Sequence, residues 1–122
     1  MISYATVGAN DLDKMLAFYK SLLETIDVTV LFDIPRGGHL FGKDGRLVLG
    51  VATPFDGGPA TQGNGTMIAL ELESRELVDA FHARALELGG SDEGAPGERG
   101  PGFYMSYFRD PEGNKFSACK LG

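Results

Sequence analysis

The chain has 122 residues, of which 43% are hydrophobic and 23% are charged, values that suit one globular domain and exclude a second of ordinary size. Its 11 basic and 17 acidic residues give a net charge of -6, which opposes binding to nucleic acid or to anionic lipid. The single cysteine excludes an internal disulfide, and no apolar stretch approaches about 20 residues, so we expect a cytoplasmic protein without a membrane partner.

The first half of the chain predicts one helix among short strands. Asn10 and Asp11 are residue types that cap a helix, and the apolar residues that follow recur every three or four positions. Asp44-Gly45 is a hairpin turn signal, because both residue types tolerate positive φ. The strand candidates are residues 2–7, 28–32, 39–41 and 47–51, which gives the order βαβββ.

The second half repeats this order after a Gly/Pro-rich segment, residues 53–65, which we interpret as a linker. A strand over residues 66–72 precedes a helix capped by Ser74. A loop over residues 94–102 leaves room before it for only a very short strand, and a hairpin follows the loop. Residues 17–24 align with residues 80–87 at an offset of 63, with four of eight positions identical. The sequence therefore predicts an α+β fold of two tandem modules, residues 1–52 and 66–122.

Three segments, residues 10–19, 78–90 and 108–114, make the chain resemble the vicinal oxygen chelate superfamily of glyoxalases, bleomycin-resistance proteins and extradiol dioxygenases. The resemblance implies that the two βαβββ modules form an open, U-shaped mixed sheet around a cavity, with the helices on the outer face. It also implies a small-molecule ligand and a side-by-side homodimer.

The same resemblance implies a metal site, with ligands that are mostly His and Glu on the first and last strands of each module. Carried onto this chain, the four ligand positions are Tyr4, Leu49, Met67 and Ser117. Divalent cations need carboxylate, imidazole or thiolate donors, and neither these residues nor their immediate neighbours include a His or a carboxylate. We therefore expect no metal and no other cofactor.

Strand alternation from these positions predicts which side chains line the cavity. The second hairpin adds Tyr104, Ser106 and Phe108, although a slip of one residue in its register would exchange them for Phe103, Met105 and Tyr107. Arg99 stands in the predicted Gly/Pro loop, where it is placed to clamp an anionic group. The set predicted to contact a ligand mixes hydroxyl, apolar and charged groups: Tyr4, Thr6, Leu49, Met67, Glu71, Tyr104, Ser106, Ser117 and Arg99.

Glu71 and Tyr4 are the candidates for catalysis. A carboxylate enclosed by Met67 and Ala69 is expected to have a raised pKa and to act as acid or base, whereas at a strand end it would lie in water or pair with an arginine. Tyr4 is a possible proton donor, or it fills the space of the absent metal. His82, on the second helix, is expected at the surface and Cys119 in the interior.

Three functions follow from these features. The first is a metal-free protein that binds or sequesters a small, partly apolar molecule. The second is a lyase, isomerase or dioxygenase, either metal-independent through Glu71 and Tyr4 or with a metal site not located in the sequence. The third is a degenerate paralogue that acts by protein contacts. The fold cannot choose among them, since one fold hosts many functions.

Overall fold

A computed structural model describes all 122 residues, which form two compact units, residues 1–62 and 63–122. The first unit contains β1 (Ala5–Gly8), α1 (Leu12–Glu24), β2 (Thr29–Asp33), β3 (Gly38–Lys43) and β4 (Arg46–Ala52). The second contains β5 (Ile68–Glu71), α2 (Arg75–Glu87), β6 (Ser91–Glu98), β7 (Phe103–Arg109) and β8 (Lys115–Leu121). Neither helix has the length and apolar character needed to cross a membrane.

Each unit is a βαβββ module with its own four-stranded mixed sheet, as the sequence predicts. The strand orders are β1-β4-β3-β2 and β5-β8-β7-β6, so the first and last strands of each module are parallel neighbours. Both helices begin and end 63 positions apart, at Leu12 and Arg75 and at Glu24 and Glu87. The α+β class and the tandem repeat are therefore confirmed, and each sheet is open.

The predicted helix caps are present in both modules. The Asp11 carboxylate accepts a hydrogen bond from the Lys14 backbone N–H at 3.2 Å, and the Ser74 hydroxyl accepts one from the Leu77 backbone N–H at 3.1 Å. Caps of this kind stabilise a helix by about 1 kcal/mol, because they satisfy N–H groups that have no partner within the helix. The caps fix the first residue of each helix, just after the first strand of its module.

The prediction that residues 94–102 form a loop is wrong for its first part, because β6 continues to Glu98. This strand pairs with β7 with register shifts between Asp92 and Gly94 and between Gly94 and Gly97. Such bulges admit extra residues, and an edge strand tolerates the missing N–H of Pro96. The glycines and the proline therefore bend the strand without ending it.

The extended β6 also explains why the prediction of a surface position for His82 is wrong. His82 is only 4% exposed, and its Nε2 lies 3.3 Å from the Oδ1 atom of Asp92, at the start of β6. Its ring centroid is 6.3 Å from that of Phe108 on β7. A strand that was expected to be very short thus supplies the carboxylate beside this histidine.

Candidate functional site

The two faces of the second sheet differ because α2 covers only one of them. Phe108 contacts this helix, with its ring centroid 5.9 Å from that of Phe81, and it stacks on Phe116 at 5.7 Å with an interplanar angle of 11°. Phe108 and Phe116 are at most 1% exposed. We call the side that carries them the helix-covered face and the opposite side the helix-free face.

Tyr104 and Ser106 lie on the helix-covered face, because they occupy every second position before Phe108 along β7 and therefore point to the same side. The Tyr104 hydroxyl donates to the Oδ1 atom of Asp79 on α2 at 2.6 Å, and this bond raises the pKa of Tyr104. The buried Ser106 hydroxyl donates to the carbonyl of Ala118 at 3.2 Å. The prediction that Tyr104, Ser106 and Phe108 line a cavity on the open side of the sheet is therefore wrong.

The register of the second hairpin is the physical reason for this correction. Tyr107 is paired with Ser117 and Met105 with Cys119. Residues directly opposite in an antiparallel pair point to the same face, so the odd-numbered residues of β7 accompany Ser117. The alternative with the register slipped by one residue, which adds Phe103, Met105 and Tyr107, is the one that the structure contains.

The helix-free face of the second sheet combines carboxyl, hydroxyl, thiol and apolar groups. Ala69 and Glu71 on β5 are paired with Ser117 and Cys119 on β8, in parallel register. The two β5 residues are exposed, whereas Ser117 is 0% and Cys119 3% exposed. The predicted placement of Glu71 and Ser117 on one face is thus observed, with the carboxylate outside and the hydroxyl inside.

Ser117 is the unusual member of this group. Its Oγ atom is buried and makes no hydrogen bond with the protein. A buried polar group without a partner costs about 1–3 kcal/mol, and native structures contain few of them. Ser117 also stands at one of the ligand positions that the resemblance assigns, so the same side chain is marked by two independent features.

Glu71 and Cys119 form the polar end of the helix-free face. Glu71 is exposed at the last position of β5, and its Oε2 atom accepts a hydrogen bond from the Leu121 backbone N–H at 3.3 Å. Burial, and secondarily the negative charge of Glu71, raises the pKa of the Cys119 thiol. The acid–base hypothesis requires an enclosed carboxylate, but the Glu71 carboxylate is exposed and lies beside a protonated thiol.

Tyr107 was predicted to face the cavity only if the hairpin register slipped by one residue. Two cationic side chains, Arg99 and Lys115, lie against its ring. The Arg99 guanidinium carbon lies 5.7 Å from its ring centroid and the Lys115 Nζ atom 5.6 Å. Arg99 is exposed and directly follows β6, and its Nη2 atom donates to the carbonyl of Ala95 at 2.6 Å. Lys115 was not predicted, although its position two residues before Ser117 in the sequence places both side chains on one face of β8.

In the first module, Leu49 lies on the side of the sheet opposite to Thr6. Thr6 is paired with Gly50, and a Cβ added to Gly50 would lie 2.9 Å from Cγ2 of Thr6. Leu49 and Val51 point the other way and are 0% exposed. The prediction that Leu49 faces a cavity is therefore wrong, whereas Thr6 is exposed on the face that was predicted for it.

Unequal turns caused the error at Leu49. The pair Lys43 and Arg46 closes a turn of two residues, Asp44 and Gly45. The pair Arg109 and Lys115 closes a longer turn, which consists of residues 110–114. Matching the glycines of these turns shifts the last strands by one position, so the residue equivalent to Ser117 is Gly50, the partner of Thr6.

Tyr4 and Met67 directly precede β1 and β5, and their side chains are 42% and 41% exposed. With Gly50 in place of Leu49, the four ligand positions still provide no carboxylate, imidazole or thiolate. No group of three or more His, Cys, Asp or Glu side chains is arranged to hold a metal ion. The residues present therefore do not fit the metal site that the resemblance implies.

Comparison with known proteins gives a consistent family assignment. The family model described as Glyoxalase/Bleomycin resistance protein/Dioxygenase superfamily matches residues 1–117. A glyoxalase/bleomycin resistance protein from Albidiferax ferrireducens is 36% identical, with a TM-score of 0.85 over 98% of this chain and 97% of that chain. No curated protein matches.

Two further solved structures share the fold at lower identity. A variant of a fosfomycin resistance protein from Listeria monocytogenes, complexed with Mn(II) and 1S,2S-dihydroxypropylphosphonic acid, is 20% identical, with a TM-score of 0.73 over 100% of this chain and 90% of that chain. A lactoylglutathione lyase from Agrobacterium tumefaciens is 21% identical, with a TM-score of 0.69 over 98% and 92%. At this identity the likeness shows the fold alone.

Proposed function

The chain belongs to the Glyoxalase/Bleomycin resistance protein/Dioxygenase superfamily, and from this premise we propose that it binds a small, partly apolar molecule without a metal. The ligand lies against the helix-free face of the second sheet. The observation that carries the proposal is the Ser117 hydroxyl, which is fully buried and has no protein partner. Ser117 also stands at one of the ligand positions that the resemblance assigns.

The cost of burying Ser117 supports a role in binding. A hydroxyl without a partner destabilises the fold, and alanine would fill nearly the same space without this cost. A hydrogen bond to a ligand would recover it. Because Ser117 has no exposed surface, a ligand reaches the hydroxyl only when neighbouring side chains change rotamer.

The surroundings of Ser117 suggest the chemistry of the ligand. Ala69 and Met105 offer apolar contacts, Tyr107 offers an aromatic ring, and its two cations favour a group with negative charge. The proposed contacts of the second module are Met67, Ala69, Glu71, Arg99, Met105, Tyr107 and Ser117.

Binding has stronger support than catalysis through Glu71. Acid–base chemistry near neutral pH requires a carboxylate screened from water, and Glu71 is exposed and holds the Leu121 backbone. A metal-assisted reaction would need donors that the four ligand positions do not supply. We therefore propose Glu71 as a contact at the end of β5 and not as an acid or base, and Ser117 as the central ligand contact.

A pair of buried serines allows a sharp test. Fragments that carry a hydrogen-bonding group on an apolar or aromatic body are screened by ligand-observed NMR against the whole protein, and the strongest is titrated against two variants. Ser117→Ala is expected to weaken its binding roughly tenfold, the value of one hydrogen bond, whereas Ser106→Ala leaves the dissociation constant unchanged. Equal effects of the two variants would refute the proposed site.

We further propose that the protein is a cytoplasmic homodimer. The edge strand β2 exposes Val30 by 36% and Phe32 by 59%, and apolar residues on an unpaired edge favour association. The wild type is expected to elute at twice its monomer mass in light-scattering chromatography, and Phe32→Glu at the monomer mass. A wild-type monomer at micromolar concentration would contradict this proposal.

A further inference from the structure

A separate pocket of about 370 Å³ lies within the first module, between the ends of β1 and β4 and the loop that follows β4. Its volume falls within the range of about 300–1,000 Å³ that is usual for small-molecule sites. Its lining includes Thr6, Arg36, Phe55, Asp56, Ala60 and Thr61. Ser117 belongs to the other module, so this pocket is independent of the function proposed above.

The wall of the pocket is held in place by Asn10. Its Nδ2 atom donates to the carbonyl of Ala60 at 3.1 Å, and its Oδ1 atom accepts from the Ala60 backbone N–H at 2.7 Å. The loop also sits closely on Gly8, where an added Cβ would lie 3.0 Å from Cβ of Ala60. These contacts form the pocket before any ligand arrives, which reduces the entropy lost on binding.

Arg36 supplies the positive charge of the pocket. Its Nε atom donates to the Thr53 carbonyl at 2.8 Å, and its guanidinium carbon lies 5.4 Å from the ring centroid of Phe55. The bond through Nε fixes the plane of the guanidinium and leaves Nη1 and Nη2 without a hydrogen bond to the protein. Two parallel N–H donors in one plane match the two oxygens of a carboxylate.

The remaining lining limits the negative charge that a ligand can carry, because it includes one carboxylate. Asp56 is the one acidic residue of the lining, and its Oδ1 atom accepts a hydrogen bond from the Gly58 backbone N–H at 2.9 Å. Threonine hydroxyls and apolar side chains, among them Val7, Pro54 and Pro59, complete it. We propose that this pocket binds a small monocarboxylate with an apolar body, through a bidentate contact with Arg36.

Benzoate is a suitable probe, and benzamide has the same shape without the charge. In amide NMR titrations of the whole chain, benzoate is expected to shift the signals of Gly57, Gly58 and Ala60, and benzamide to bind at least tenfold more weakly. Arg36→Gln is expected to weaken benzoate roughly tenfold. Arg36→Lys, which keeps the charge but not the planar pair of donors, is expected to fall between the wild type and Arg36→Gln.

Arg84→Gln is the matched control, because it removes one positive charge from α2, where Arg84 pairs with Glu87. It is expected to leave benzoate binding unchanged. Equal affinity for benzoate and benzamide, shifts confined to residues outside the pocket, or wild-type affinity in Arg36→Gln would overturn the proposal. Should Arg36→Gln fail to fold, the benzamide comparison and Arg36→Lys decide the question.

Discussion

The two faces of the second sheet contain one buried serine each, and they treat it differently. On the helix-covered face, the Ser106 hydroxyl donates to the Ala118 carbonyl at 3.2 Å, and Phe108 packs nearby on α2. On the helix-free face, the Ser117 hydroxyl has no partner, although it is equally buried. The difference indicates that one face is organised for stability, while the other carries a cost that binding would offset.

The largest expected effect concerns the aromatic core of the helix-covered face. Phe108→Ala removes a ring that contacts Phe81 and Phe116, so we expect the free energy of unfolding to fall by about 3–5 kcal/mol. Tyr107→Ala, one position away on the helix-free face, is expected to cost about 1–2 kcal/mol. Urea denaturation measures both, and similar losses would remove the distinction between the faces.

The serine pair is expected to show the next largest contrast, with opposite signs. Ser106→Ala breaks a buried hydrogen bond and leaves the Ala118 carbonyl with one partner fewer, so a loss of about 1 kcal/mol is expected. Ser117→Ala removes a buried hydroxyl that has no partner, so stability is expected to stay constant or to rise by up to about 1 kcal/mol. A clear loss in Ser117→Ala would mean that this hydroxyl stabilises the fold.

A smaller effect is expected from Cys119 in alkaline solution. Burial and the charge of Glu71 raise the pKa of this thiol above its ordinary value of 9.0. The unfolded thiol therefore ionises first, and its contribution to stability, complete below pH 9.0, is lost as the pH rises through the folded pKa. Unfolding of the wild type and of Cys119→Ala is compared from pH 7 to 10, and a difference that does not change with pH would contradict this prediction.

The smallest expected effect is that of Glu71→Gln. The glutamine still accepts the Leu121 N–H bond, so stability should change by less than about 0.5 kcal/mol. Loss of the negative charge lowers the pKa of Cys119, so thiolate absorbance should appear at a lower pH in a spectroscopic titration of the folded protein. Lys120→Gln serves as the control of a neighbouring charge, and an unchanged titration in Glu71→Gln would exclude the electrostatic coupling.

The sequence was sufficient for the repeat and for one face of each first strand. The 63-residue offset and the caps at Asp11 and Ser74 depend on local patterns, which the structure keeps. Thr6, Ala69 and Glu71 were placed on the correct face because alternation within a single strand needs no knowledge of its partner.

The sequence was insufficient wherever a result depended on pairing between strands. Leu49, Tyr104 and Ser106 were placed on the wrong face, because a hairpin register depends on turn length and bulges, which local patterns do not fix. His82 was misplaced because β6 was expected to be short. The missing partner of Ser117 could not be foreseen at all, since it is a property of the packed fold.

The most direct test of the proposed site is a structure of the protein with the strongest fragment bound. We predict a polar ligand atom at about 2.6–3.2 Å from the Oγ atom of Ser117, with the apolar body of the ligand against the helix-free face of the second sheet. A ligand bound elsewhere, with the Ser117 hydroxyl still unpaired, would contradict it.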